Sequence, residues 1–397
     1  MKALFLNIPA SGHINPTLPV ISALLQRGEE VICVNAENQR AAHEKLGARF
    51  VAYPDSPELQ RRTTQASGAN FAVAALAFLQ IAEILLPDLI ALIEHERPDY
   101  LIYDSLACWG PMLARRFHLP TVASVTMFVI NRQTMPRLPS PHFARTLLGM
   151  LRRAPQYRRI NLSLRQRYAV VAPTPPDALM NLGQLNIVFT LRALQPKAET
   201  LGDNFVFVGP SFGQRPHDPD FPFDQMRRPA LYIALGTIDN NHPDFYRACF
   251  AAFADFSGTV VLAAGKNTDI AALGTPPPNF IVRPFVPQLE VLQHVDAFIT
   301  HAGMNSVHEA LYYGVPLLVL PRHGEQDVVA RQVVARGAGL SLDHRRVNAE
   351  TLRTRTARLL AAPGYKTQAA QLGAALRNGG GAAQAAEAII QFTRRPS

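Results

Sequence analysis

The sequence predicts an α/β protein made of two doubly wound parallel sheets in series. Three observations carry that prediction. Short apolar runs alternate with stretches of helical periodicity, the alternation restarts after a polar stretch bearing several prolines, and the apolar runs end in turns of small and polar residues.

In order along the chain, Leu4 to Ile8, Val31 to Asn35, Tyr100 to Tyr103 and Thr121 to Ser124 read as strands, being apolar runs too short for helices. Leu18 to Arg27 and Gly110 to Phe117 between them repeat at helical spacing. Ala69 to Ile93 is the most apolar segment, but Asn70, Gln80, Glu83, Pro87 and Asp88 interrupt it as a membrane span rarely tolerates, so it reads as one or two buried helices. Gln214 to Pro222 reads as a linker. Strands then recur at Ala230 to Leu235, Thr259 to Ala263, Phe280 to Arg283, Ala297 to Thr300 and Leu317 to Leu320. The expected division is a first domain over residues 1–210, a linker over 211–229, a second domain over 230–380 and a terminal helical segment over 381–397.

The chain of 397 residues, 48% hydrophobic and 17% charged, has a globular composition and room for two domains. Cys33, Cys108 and Cys249 are too few and too scattered for a disulfide framework or a metal cluster. The first apolar stretch is broken by Asn7 and Pro9, too soon for a signal peptide, so a cytoplasmic location is expected.

The stretch from Ala297 to Asp327 carries the chemistry. An apolar strand runs into His301-Ala302-Gly303-Met304-Asn305-Ser306 and then a helix holding Glu309. Gly303 lets a ligand approach the backbone, and the positive end of the helix favours an anion, so a diphosphate suits this turn. His301 and Ser306 can donate to its oxygens. The competing reading is a capping box in which Ser306 and Glu309 satisfy helix N–H groups. Favouring the ligand site, a second strand ends nearby in Arg322-His323-Gly324-Glu325-Gln326-Asp327, so two strand ends offer polar groups at one sheet edge. Gly236 and Thr237 end another strand and could reach the same phosphates, or form a plain turn.

On the first domain, Ser11-Gly12-His13-Ile14-Asn15-Pro16 follows the first strand, and Asp104 ends the strand at Leu101 to Tyr103. Both therefore belong at the C-terminal strand edge. An imidazole, with an ordinary pKa of about 6.5, suits removal of a proton from a hydroxyl, and a carboxylate can fix its tautomer. The plainer reading makes His13 a helix-start residue and Asp104 the N-cap of the following helix.

These residues resemble the family 1 nucleotide-sugar glycosyltransferases, in particular the bacterial macrolide and flavonoid branch, from NIPASGHINPTLPV through IYDSLACWG and FVFVGPSFG to FVPQLEVLQHVDAFITHAGMNSVHEALYYGVPLLVLPRHGEQ. The resemblance implies a GT-B fold, two Rossmann-like domains facing across a cleft, with the terminal helix crossing back to the first domain. It implies His13 and Asp104 as the catalytic pair. On the donor side it implies that Phe285, Val286 and Gln288 hold the base, and that His301 and Ser306, with Gly236, Thr237, Gly303 and Asn305 beside them, hold the phosphates. Glu309 then takes the ribose, and Glu325 and Gln326 the sugar. Phe285 and Glu325 fit the bacterial branch, while Ala302 stands where Gly is common.

The activity implied is inverting transfer of a hexose, glucose first, from a UDP-sugar to a hydroxyl of a polyphenol, macrolide or other natural product, giving a β-glycoside without a metal or other cofactor. Phe71, Phe78, Met127, Phe128, Met135 and Phe143 are an apolar set suited to such an acceptor, although each singly reads as core. An epimerase or a non-catalytic nucleotide-sugar binder of the same fold remains the alternative; a nicotinamide dehydrogenase is disfavoured because the first turn lacks G-x-G-x-x-G. Asp218-Pro219-Asp220 has a metal-binding form but lies in the linker, not at a strand end.

The net charge of +9 is local in origin. Arg132, Arg137, Arg145, Arg152, Arg153, Arg158, Arg159, Arg165 and Arg167 fall in a stretch without an acid, and Arg152, Arg159 and the arginines paired with them stand at helical spacing with Leu148, Leu151, Tyr157 and Ile160 interleaved. A solvated face is the plain reading, and weak contact with an anionic membrane or acceptor the next. Nucleic acid comes last, no nucleic-acid motif accompanying the charge. Oligomeric state is not legible.

Overall fold

The computed structural model describes residues 1–66, 71–130, 141–174, 177–213, 218–237, 239–322 and 324–395, without the side chains of Phe71 and residues 141–147. The chain divides into two compact units: Met1–Gly213 together with Gly380–Ser397, and Gln214–Gly379.

In the first unit the strands are β1 (Lys2–Leu6), β2 (Glu30–Asn35), β3 (Arg49–Ala52), β4 (Tyr100–Asp104), β5 (Thr121–Val125), β6 (Leu185–Val188) and β7 (Phe205–Phe207). They form one parallel sheet in the order β3-β2-β1-β4-β5-β6-β7. Side chains alternate along β1 as the pleat requires. Leu4 and Leu6 pack on one face with Leu79, Leu86 and Trp109, while Ala3 and Phe5 pack on the other with Val20, Ile21 and Leu24. Burial on both faces explains why these strands read as continuous apolar runs.

Helix Phe71–Glu96 covers the first face as a single element, with Pro87 inside it. By length and composition its Ala72–Glu96 portion could cross a membrane, yet 61% of the apolar window is buried within the fold. The second face is completed by helix Gly381–Thr393, whose Ala385, Ala386 and Ile389 are buried beside Leu24 and Tyr100. Arg394 at the end of that helix reaches the buried carboxylate of Glu29 at 3.2 Å. The end of the chain is thus part of the first unit.

The second unit holds β8 (Ala230–Ala234), β9 (Thr259–Ala263), β10 (Phe280–Arg283), β11 (Ala297–Thr300), β12 (Leu317–Val319) and β13 (Gly339–Ser341). These form a second parallel sheet, ordered β10-β9-β8-β11-β12-β13. Most of the expected linker belongs here, since the second unit begins at Gln214. Phe221 and Phe223 pack ring to ring at 4.6 Å, Phe223 lies against His294, and the Asp220 carbonyl accepts from Arg283. Burial of Phe221, with the half-buried Phe223 ring against it, ties residues from Asp218 onward to the second unit. Residues 214–217 of the expected linker lie outside the described residues.

Each sheet reverses its strand order once, between β1 and β4 in the first unit and between β8 and β11 in the second. At such a reversal the loops leave to opposite faces and open a crevice at the carboxyl ends of the strands, where open α/β sheets take ligands.

Candidate active site

The reversal point of the first sheet is built by local hydrogen bonds. Asn7, buried just after β1, accepts from the Ile8 N–H at 2.8 Å and reaches Thr17 Oγ1 at 3.3 Å, and the Asn7 carbonyl accepts from Tyr53 Oη. Thr17 Oγ1 in turn donates to the Ile14 carbonyl. These bonds fix the short helix Ser11–Ile14, on which His13 sits.

His13 Nδ1 lies 2.7 Å from Asp104 Oδ2, across the reversal from the end of β4. The Asp104 side chain is fully buried and the His13 side chain 18% exposed, so the carboxylate is sheltered while the ring keeps access to solvent. Asp104 Oδ1 accepts from the Leu106 N–H at 2.8 Å. The carboxylate is therefore used in a turn and in holding the imidazole; helix Trp109–Phe117 has Cys108 as its N-cap instead, with no side-chain cap. A third group, Thr126 Oγ1, lies 2.8 Å from His13 Nδ1. Thr126 just past β5 escaped the sequence reading because a lone threonine after an apolar strand carries no spacing signal.

In the second unit the reversal point gathers Gly236, Thr237, His301, Gly303, Asn305 and Ser306. The His301 ring lies against two glycines: a β-carbon on Gly236 or on Gly303 would come within 2.6 Å of it. Gly236, at φ +86°, also needs glycine for its backbone. Ala302 holds φ +67° with its methyl buried, a conformation that costs an alanine about 1 kcal/mol relative to glycine. The Gly236 loop is anchored by Asn240, whose Nδ2 donates to the Gly236 carbonyl at 3.0 Å.

The capping-box alternative does not hold. Helix Met304–Tyr312 begins with Gly303 as its N-cap and no side-chain cap, so Ser306 stands inside the first turn. Its first backbone bond runs from the Val307 N–H to the Gly303 carbonyl. The positive helix end thus faces the His301 turn.

Gln288 links the remaining donor-side residues. Tyr232 Oη donates to Gln288 Oε1 at 2.8 Å, which turns the Gln288 amide nitrogen toward Glu309 Oε2 and, at 3.5 Å, Ser306 Oγ. Tyr232 is locked by stacking on Phe298 at 4.4 Å, the residue opposite it on β11. Tyr232 falls inside the strand expected from Ala230 to Leu235, where nothing in the sequence marks its hydroxyl, because that role depends on a contact 56 residues away. Glu309 is buried, Val286 half-buried and Phe285 58% exposed, an apolar ring offered to solvent. Gln326 is buried and accepts from the Arg322 N–H at 2.9 Å, while Glu325 and Thr237 are exposed. A cavity of ≈ 430 Å³ opens at this edge between Leu235, His242, Leu320, Arg322 and His344. Arg322 and His242 both approach the carboxylate of Asp239 there. Asp218 accepts from the Asp220 N–H, forming a local turn.

The acceptor set is only partly described. Phe78 and Phe128 are buried, at 6% and 5% exposure, and Met127 is half-buried against the core of the first unit. Met135 and the side chains of Phe71 and Phe143 lie outside the described residues.

With this geometry in place, comparison with known proteins is direct. A family model described as UDP-glucoronosyl and UDP-glucosyl transferase matches residues 204–377. The uncharacterized UDP-glucosyltransferase YojK of Bacillus subtilis strain 168 is 33% identical over 99% of this chain and 98% of its own length. The demethyllactenocin mycarosyltransferase of Streptomyces fradiae is 29% identical over 97% of this chain and 85% of its own. Among solved structures, the glycotransferase of kitacinnamycin superposes with a TM-score of 0.86 at 30% identity, covering 99% of both chains. With two doubly wound sheets and relatives that are glycosyltransferases, this protein is a GT-B glycosyltransferase. Within that class the chain belongs to the UDP-glucoronosyl and UDP-glucosyl transferase family.

Proposed function

We propose that this glycosyltransferase moves a hexose, glucose first among candidates, from a UDP-sugar to a hydroxyl of a hydrophobic natural product with inversion at the anomeric carbon. The observation that carries the reading is the buried Asp104 carboxylate 2.7 Å from His13 Nδ1 at the reversal of the first sheet. With the Nδ1 proton held toward Asp104, Nε2 is the basic nitrogen. It takes the proton of the acceptor hydroxyl, the oxygen attacks the anomeric carbon, and the carbon–oxygen bond to the diphosphate breaks, releasing UDP. The imidazolium formed is stabilised by Asp104.

For the departing diphosphate the reading assigns His301, Ser306 and the positive end of helix Met304–Tyr312, a set of oriented donors that can stabilise developing charge without a metal. Phe285 would stack on the base, Glu309 would accept from the ribose hydroxyls, and Glu325 and Gln326 would select the sugar. Support for a natural-product acceptor comes from relatives whose names carry such substrates, among them the demethyllactenocin mycarosyltransferase.

The test is incubation with UDP-glucose and a panel of phenolic and macrolide acceptors, with and without a chelator. Expected are UDP release and a product heavier by one hexose with a β linkage, unchanged by chelation. His13→Ala should abolish transfer while UDP binding persists. No product heavier by one hexose from any acceptor of the panel would overturn the acceptor reading.

A further inference from the structure

Residues 105–176 contain eleven arginines and no aspartate or glutamate. Helix Pro141–Tyr168 carries much of that charge. It packs on helix Phe71–Glu96, with Gly149 against Ala72 and Ser163 Oγ on the carboxylate of Glu83. Tyr157, Ile160 and Leu164 are its buried side, joined to the core of the first unit.

The opposite side is unusual. Leu148, Leu151 and Leu162 are 49%, 63% and 57% exposed. At about 100° per residue, these leucines and Pro155 fall within about 60° of one another, facing away from the buried stripe. Arg158 and Arg165 flank this apolar strip on one side and Arg152 and Arg159 on the other, all four exposed. Among the described residues none of the four is paired with a carboxylate. A merely solvated face has no reason to place leucines at its centre. An apolar strip bordered by arginines on both sides is how a helix lies in a lipid interface, leucines among the acyl chains and guanidinium groups at the phosphates.

We propose that this face of helix Pro141–Tyr168 docks on an anionic lipid surface. The occupant follows from charge complementarity, since an arginine border without any acid fits a surface of lipid phosphates. Docking would bring the enzyme to acceptors that partition into lipid. The inference concerns binding alone and stands apart from the transfer reading.

The experiment is flotation of the full chain with vesicles of phosphatidylcholine alone and of phosphatidylcholine mixed with an equal part of phosphatidylglycerol. The protein should float with the anionic vesicles and stay behind with the neutral ones. Each interfacial arginine contributes about fivefold to binding, so Arg152→Gln with Arg158→Gln, Arg159→Gln and Arg165→Gln should weaken it several hundredfold. Leu148→Gln with Leu151→Gln and Leu162→Gln should weaken the binding that survives high salt. Circular dichroism of both variants checks that they fold, which substitutions at exposed positions allow. Binding to neither vesicle, equal binding to both, or wild-type flotation by both variants would overturn the proposal, as would self-association removed by the leucine changes without vesicle binding. Transfer to a water-soluble acceptor, measured alongside, tells failure of docking apart from failure of the transfer reading.

Discussion

Replacing Asp104 by asparagine changes one atom and separates the roles of the pair. The Asp104 carboxylate has two fixed partners, the Leu106 N–H on Oδ1 and His13 Nδ1 on Oδ2. Asparagine has one oxygen. If it stays on the Leu106 N–H, the amide NH2 points at His13 Nδ1 and donates to it, which moves the imidazole proton to Nε2, the nitrogen that must accept the acceptor proton. Turning the amide over restores the tautomer but sets two donors against each other at Leu106, a buried mismatch worth about 1–3 kcal/mol. The productive tautomer is then depleted roughly 5- to 150-fold, since 1.4 kcal/mol is a factor of about ten. The lost carboxylate also no longer stabilises the imidazolium, so the fall in kcat should total about 10² to 10⁴. The assay is UDP release at saturating donor and acceptor, with isothermal titration of UDP as control. A kcat within about threefold of wild type, well inside what one lost hydrogen bond should cost, would refute the argument.

Three further outcomes are expected. Gly303→Ala keeps an ordinary backbone, φ being −63°, but pushes a methyl to 2.6 Å from His301 Nε2; donor KM should rise roughly tenfold to a hundredfold with little change in Tm, and an unaltered KM would remove His301 from the donor site. Tyr232→Phe deletes the hydroxyl that orients Gln288, so UDP affinity by calorimetry should fall about fivefold, the worth of one net hydrogen bond; full-strength binding would make that bond incidental. His308 is fully buried and its pKa is lowered to about 4 by burial. The unfolded chain therefore binds a proton there that the folded second unit refuses, and the stability so contributed is complete above about pH 6.5 and lost as pH falls toward 4. Urea unfolding should show a loss of about 3 kcal/mol across that window, and His308→Gln should flatten it; an unchanged slope would exclude His308 as its source.

The fold was legible where strands are buried on both faces. Val31 to Asn35, Thr259 to Ala263 and Ala297 to Thr300 stand out because parallel strands under helices need apolar side chains at nearly every position. The strands that sequence reading omitted lie toward the outer side of the sheets. Arg49–Ala52 begins on an exposed arginine and buries only Phe50, and Phe205–Phe207 and Gly339–Ser341 have three residues each, too few to show a period. Leu185–Val188 hides behind Asn186, which reads as a loop residue until its amide is seen bonded to Gly183 on both sides. Helix Pro141–Tyr168 announced its arginines but not which way its leucines face.

By itself the sequence determined that strands and helices alternate, that the pattern runs twice, and that histidines, glycines and carboxylates lie at particular strand ends, because all of these follow from local periodicity and turn chemistry. Only the tertiary structure decided which strand ends are neighbours. Strand order is set by side chains packing across the sheet between residues far apart in the chain, so the 91-residue step from His13 to Asp104, the Thr126 hydroxyl beside them and the Tyr232 bond to Gln288 exist only once the sheets have formed.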